Sequence, residues 1–327
     1  MGYSLPGPAY IAQPDTVRPS GNRPLPLKPT RSLRLASREG SWISLDVSPD
    51  GKRIAFVSDR DGAENLWILD LAEGDTIQLT RGRNDRYESP TWTPDGRYIV
   101  VSKGSRPFTP TKLWLYHAEG GTGVQLIREP ENLRTVGAAV SPDGRYIWFA
   151  QRTDTWQYNA ILPRYQLAVY DRETGCTYVR SNRYGSAFRP TLSPDGRWLV
   201  YGSRQKDHTG LRLRDLRTGQ ERWLAYPVQR DDQESVAPRD VLPGMASTPD
   251  SRELMTSFGG KIWRIPIEGG PAVEVPCEVE LELPVGPEVR FQYPISDAPP
   301  LRCDRSGMPC PPLTDVLLPL RRSAGST

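Results

Sequence analysis

Between residues 42 and 80 the chain alternates apolar and polar positions in four short runs, WISLDV, KRIAFVS, LWILDL and IQLT, separated by SPDG, DRDGAEN and AEGD. Runs of this length, rich in Val, Ile and Trp and alternating with period two, predict antiparallel strands; the Gly, Pro and Asp segments predict the reversals between them. The same grammar recurs in SPTWTPDGRYIVVS with KLWLYHAEGG and VQLI, and in GAAVSPDGRYIWFA with YQLAVYDRETG and TYVR. It returns in RPTLSPDGRWLVYGS with LRLRDLRTG and ERWLAY, and in GMASTPDSRELMTS with KIWRIPIEGG and AVEVP.

One turn marks every unit. It consists of Pro49, Asp50 and Gly51, then Pro94, Asp95 and Gly96, Pro142, Asp143 and Gly144, Pro194, Asp195 and Gly196, and last Pro249 and Asp250 with Ser251 where Gly is expected. Proline presets φ near −65°, Asp bonds nearby amides, and Gly takes the left-handed conformation that leaves the turn. The turn prolines are 45, 48, 52 and 55 residues apart. Such spacing suits a four-stranded propeller blade of roughly 40–45 residues with the excess in loops. Helical repeats of that length fail on the period-two alternation. The expected fold is all-β, a β-propeller of five to six four-stranded blades over 37–277.

Flanking segments break the pattern. Residues 1–36 carry a Pro-rich stretch, read as a disordered leader, because proline removes ladder donors. Residues 278–297 read as a linker. Residues 298–327 hold six prolines and no alternation. Codon degeneracy allows a displaced frame in that tail to encode a further Ser-Pro-Asp-Gly-Arg, which the nucleotide sequence would decide.

The five turns resemble the WD40-like or PD40 repeats of TolB-type β-propellers. More narrowly, EGSWISLDVSPDG, KLWLYHAEGGTGVQL, FRPTLSPDGRWLVY, LPGMASTPDSREL and GPEVRFQYPISD resemble the amino-terminal propeller region of secreted bacterial amidohydrolases. That resemblance implies a propeller preceding a metal-dependent barrel. A barrel needs about 250 residues and a His/Asp cluster, whereas this chain has two histidines, His117 and His208, in no paired motif. The expectation is therefore a non-catalytic binding or scaffold module with no cofactor and no metal. A stand-alone protein-interaction propeller and a hydrolase accessory or substrate-gating domain are the alternatives.

Composition narrows the partners. A formal charge of +3 without basic blocks gives no nucleic-acid groove, and no run is long and apolar enough to span a membrane. A protein or peptide partner remains. The amino terminus lacks the basic start and apolar run of a signal peptide, so a cytoplasmic location is expected, although the resembling family is often secreted or periplasmic. Cys176, Cys277, Cys303 and Cys310 lack metal-site spacing. No GxSxG elbow, Walker loop or dinucleotide fingerprint occurs. The repeated turn carboxylates read as structural, and Trp67, Trp114, Trp148, Trp198 and Trp263 read as blade-to-blade core. Two insertions, 151–165 and 226–244, exceed the blade minimum. Trp156, Tyr158 and Arg164 in the first, with Arg230, Asp231, Asp232 and Glu234 in the second, are the candidate contact surface at one mouth of the ring.

Overall fold

The computed structural model describes residues 29–39, 44–105, 110–153, 161–233 and 240–286. Among these residues every regular element is a strand. Contacts divide the chain into two compact units, Arg34–Glu282 and the combination of Met1–Leu33 with Leu283–Thr327.

Strand β1 (Arg31–Ser37) precedes the first blade, which consists of β2 (Leu45–Val47), β3 (Arg53–Ser58), β4 (Asn65–Asp70) and β5 (Thr76–Gln78). The second blade is β6 (Arg86–Trp92), β7 (Tyr98–Gly104), β8 (Lys112–His117) and β9 (Val124–Gln125). The third is β10 (Arg134–Val140), β11 (Tyr146–Arg152), β12 (Gln166–Asp171) and β13 (Thr177–Val179). The fourth is β14 (Phe188–Leu192), β15 (Trp198–Gln205), β16 (His208–Asp215) and β17 (Glu221–Arg230). The fifth is β18 (Ala246–Ser247), β19 (Glu253–Phe258), β20 (Lys261–Pro266) and β21 (Val273–Val275), followed by β22 (Val279–Val285). Each blade is an antiparallel meander in chain order.

Two strands fall in segments that alternation alone assigned to a leader and a linker. β1 and β22 form a separate two-stranded sheet. Within the propeller unit, Arg34 Nε lies 3.4 Å from a Glu282 carboxylate oxygen, and Arg38 Nη2 lies 3.3 Å from Glu278. In the other unit Thr30 N donates to Val285 O at 3.0 Å. β1 is exposed along its whole length, and its alternating Leu33 and Leu35 are exposed large apolar side chains.

In the second and fourth blades the second strand is buried on both faces. In β7, Ile99 and Val101 join the cluster containing Ala55, Leu66 and Ile68 of the first blade, while Val100 joins the one containing Ile147 and Phe149 of the third. In β15, Leu199 and Tyr201 pack with Leu167 of the third blade, and Val200 with Leu254 and Ile265 of the fifth. Period-two alternation thus serves two interfaces at once, each fully buried large side chain contributing roughly 1.5–3 kcal/mol. Of the tryptophans read as core, Trp67 is buried, and Trp114, Trp148, Trp198 and Trp263 pack partly buried on the clusters.

All five predicted turns form, and they are alike at the atomic level. Ser48, Thr93, Ser141, Ser193 and Thr248 each donate a hydroxyl to the Asp two residues on, at 2.5–2.6 Å. The same carboxylate accepts the amide two residues further, at 3.0–3.2 Å. Ser251 adopts the left-handed conformation of the glycines, φ 60°, and the turn closes as the others do. Its hydroxyl accepts Asp195 N of the neighbouring turn at 3.1 Å, a bond glycine could not make.

Candidate functional site

Inner strands β2, β6, β10, β14 and β18 surround a cavity of about 200 Å³, lined by Leu45, Asp46, Thr91, Ala139, Thr191 and Ala246 among others. It is a narrow channel along the axis of the blades. The Pro-Asp turns lie at one end of these strands. At the other end β6, β10 and β14 each carry a bulge, between Glu88 and Thr91, Val136 and Ala139, and Phe188 and Thr191. The bulged residues Ser89, Gly137 and Arg189 occupy equivalent places and share the left-handed conformation, with φ 52°, 64° and 51°. Such a conformation costs a non-glycine residue on the order of 1 kcal/mol. It persists here because the three positions converge on one carboxylate.

That carboxylate is Asp240, delivered by the loop before the fifth blade. Its Oδ2 accepts Ser89 Oγ at 3.2 Å and Arg189 Nη1 at 3.0 Å, and Oδ1 accepts Val241 N at 2.8 Å. The side chain is 1% exposed and that of Arg189 7%. A Cβ at Gly137 would collide with Asp240 Oδ2, so glycine is required on steric as well as conformational grounds. Asp240 therefore knots blades two, three and four to the entry of blade five.

Beside the knot lies Glu88, buried and with no hydrogen bond to either carboxyl oxygen. Arg134 Nη2 of the next blade is 3.9 Å away. Burial pushes the Glu88 carboxyl up to about 8; Arg134 opposes this and the charge of Asp240 adds to it. In the channel, Asp46 is pushed up to about 6 by burial, against the pull of amide hydrogen bonds that include Trp92 N at 2.7 Å. Near neutral pH the mouth is thus rich in donors: guanidinium groups and a carboxyl that holds its proton.

Of the expected contact residues, Trp156, Tyr158 and Glu234 lie outside the described residues. Arg164 is 3% exposed and belongs to a buried network, because its backbone amide and that of Tyr165 both donate to Ser186 Oγ, at 2.8 and 3.3 Å. Tyr165 packs edge-on to Phe188 and carries the Arg152 guanidinium 5.0 Å over its ring. Asp231 is also tied inward, accepting Arg204 Nη1 at 3.2 Å and Thr209 Oγ1 at 2.9 Å. Arg230 and Asp232 are exposed. Both insertions touch the segment 185–187: Ala187 N donates to Tyr165 O at 2.9 Å, and Gln233 Nε2 donates to Gly185 O at 3.5 Å.

Sequence reasoning missed Asp46, Glu88, Arg134, Arg189 and Asp240. The available signal was register: the position four before each turn Ser or Thr is occupied by Ser44, Ser89, Gly137, Arg189 and Gly244, and one large cation among small residues marks a special place. Among the described residues no group of three His, Cys, Asp or Glu is arranged to hold a metal. His117 packs edge-on against Tyr98, and His208 bonds its neighbour Asp207 at the surface. The site can bind, through donors and buried charge.

The profile of the family described as "TolB beta propeller domain" (PD40) matches residues 27–215. A Bacillus subtilis protein named "Uncharacterized peptidase YuxL" is 25% identical over 190 residues, 48% of this chain and 28% of that protein. An Escherichia coli protein named "Uncharacterized protein YidR" is 26% identical over 117 residues, 35% of this chain and 26% of that protein. The matched stretches thus span about a quarter of these curated relatives. The crystal structure of TolB from Acinetobacter baumannii superposes with a TM-score of 0.53 at 18% identity, over 71% of this chain and 56% of that one, a likeness of fold.

Proposed function

This chain belongs to the TolB β-propeller domain family, and from that premise we propose that it is a non-catalytic binding module holding an extended peptide segment of a protein partner at the channel mouth. The observation that carries this reading is the buried Glu88 carboxyl without a hydrogen-bond partner, set beside Arg134 and the Asp240 knot. Unpartnered buried polar groups are costly, on the order of 1–3 kcal/mol each, and a ligand that pairs with them recovers that cost. A peptide main chain offers the carbonyl acceptors that a donor-rich mouth lacks.

The test is selection of displayed peptides on the purified chain, followed by affinity measurement on Glu88→Gln and Arg134→Gln. Selected peptides are expected to lose about tenfold or more in affinity on Arg134→Gln, as for a lost charge-assisted hydrogen bond. Peptides that bind both variants as tightly as the parent would refute the mouth as the site.

A second reading rests on the relative named as a peptidase, of which the shared segment is 28%. In it the propeller accompanies a hydrolase and gates its substrate. Restored peptidase or amidase turnover on mixing with a separately supplied hydrolase domain would favour it over the binding module alone.

A further inference from the structure

Away from the mouth, the connection 180–185 between blades three and four faces β15, β16 and β17 across a cleft of about 570 Å³. Five arginines line it, Arg180, Arg183, Arg204, Arg212 and Arg214, against a single acid, Glu221. Register explains the concentration. Arg212 and Arg214 are two apart on β16 and so share a face; Arg212 stands between Tyr201 and Trp223 of the flanking strands, and Arg214 between Leu199 and Glu221.

Glu221 is already engaged. It pairs with Arg183, accepts Tyr201 Oη at 2.9 Å and lies 3.7 Å from Arg214. Arg204 is held by Asp231. No carboxylate among the described residues forms an ion pair with Arg180 or Arg212, and the Nε atoms of Arg212 and Arg214 are buried without an acceptor. The Arg212 guanidinium is pinned 3.9 Å over the Trp223 ring, and burial, together with the charge of Arg183, disfavours its own charge. A fold that needed only packing here would be served by apolar side chains; stacked, oriented guanidinium groups with spare donors are what oxyanion recognition requires. Tyr184, 77% exposed, stands at the rim as an aromatic face with no covering. The volume exceeds that of one oxyanion and falls in the range of small-ligand sites, roughly 300–1,000 Å³.

We propose that this cleft binds a small polyanion, a ligand carrying two or more phosphate or carboxylate groups, gripped by Arg180, Arg212 and Arg214 with its body against Tyr184. The site is independent of the peptide-binding mouth.

The full chain is titrated calorimetrically with inorganic pyrophosphate, with citrate, and with acetate as the monoanionic control. One-site binding of pyrophosphate or citrate is expected, weakening as salt is raised and at least about tenfold tighter than acetate. Binding of pyrophosphate alone assigns the site to phosphates, of citrate alone to carboxylates, and of both to polyanions generally; each supports the proposal. Arg180→Gln, at an exposed residue, and Arg212→Gln are each expected to weaken binding about five- to tenfold, with the strand signal in circular dichroism unchanged. Failure of both probes to saturate, acetate binding as tight as theirs, or full affinity in both variants would overturn it. Glu88→Gln is expected to keep polyanion affinity, so loss of peptide binding and loss of this site are separable.

Discussion

The two ends of the inner strands hold carboxylates in opposite ways. At the turn end Asp50, Asp143 and Asp250 are lowered from their ordinary value by the hydroxyl of Ser48, Ser141 or Thr248 and by an amide. Slight burial works against Asp95 and Asp195, yet the same two donors still bring them down. In the channel and at its mouth, burial dominates: Asp46 and Glu88 are raised, and Asp240 depends on a buried arginine. The turn end is assembled five times from neighbours within five residues. The mouth is assembled once, from residues up to 151 positions apart, as in the bond from Ser89 to Asp240. Local, repeated chemistry makes a scaffold; long-range, singular chemistry makes a place where a ligand changes the energetics.

The largest expected effect that separates the two ends is Asp240→Ala. It leaves Arg189 buried without its partner and is expected to cost about 3–5 kcal/mol in chemical denaturation. A cost below about 1 kcal/mol would mean that the knot does not hold the blades. Next comes the pH response. The Glu88 carboxyl lies near 4.5 when unfolded and near 8 when folded, so between those values the folded state binds more protons. Its stabilising contribution is complete below about pH 4.5 and is lost as pH rises through about 8. Since Asp46 titrates nearer 6, the parent is expected to lose stability from pH 6 to 8 while Glu88→Gln stays flatter; parallel curves would show that Glu88 is not buried as described.

At the turn end the sign reverses. Asp143 has a lowered value, so its contribution is present above about pH 4 and is lost as pH falls below it. Asp143→Ala is expected to cost about 0.5–2 kcal/mol at pH 7, as for a lost side-chain cap, and to shrink that acid-side slope. The smallest effect is expected at Ser251→Gly. Relief of a left-handed serine, worth about 1 kcal/mol, is offset by loss of the hydroxyl that accepts Asp195 N, leaving a net change within about 0.5 kcal/mol. A Tm shift well above one or two degrees in either direction would show that one of the two contributions is absent.

The legible part of the site follows the same division. Pro, Asp and Gly state their backbone requirement in three consecutive letters, so the turns at Pro49, Pro94, Pro142, Pro194 and Pro249 could be placed by eye. Arg164 and Asp231, both within the insertions, have buried side chains, because a loop's length does not reveal which of its side chains turns inward. Asp240 lies in the same insertion as Asp231, yet nothing local distinguishes it from Asp231 or Asp232. β1 and β22 escaped detection for a related reason: their pairing joins residues about 250 positions apart, as between Arg34 and Glu282.

The sequence by itself determined the blade, its four strands, its five repeats and the hairpin corner that joins the inner pair, because alternation and turn chemistry act over a few residues. Only the tertiary structure decided that three bulges should meet at Asp240, that Glu88 should be buried without a hydrogen bond, and that five arginines should line one cleft. Those facts depend on which blade faces become neighbours, and desolvation, the cause of the raised carboxyls, exists only after the blades have closed around them.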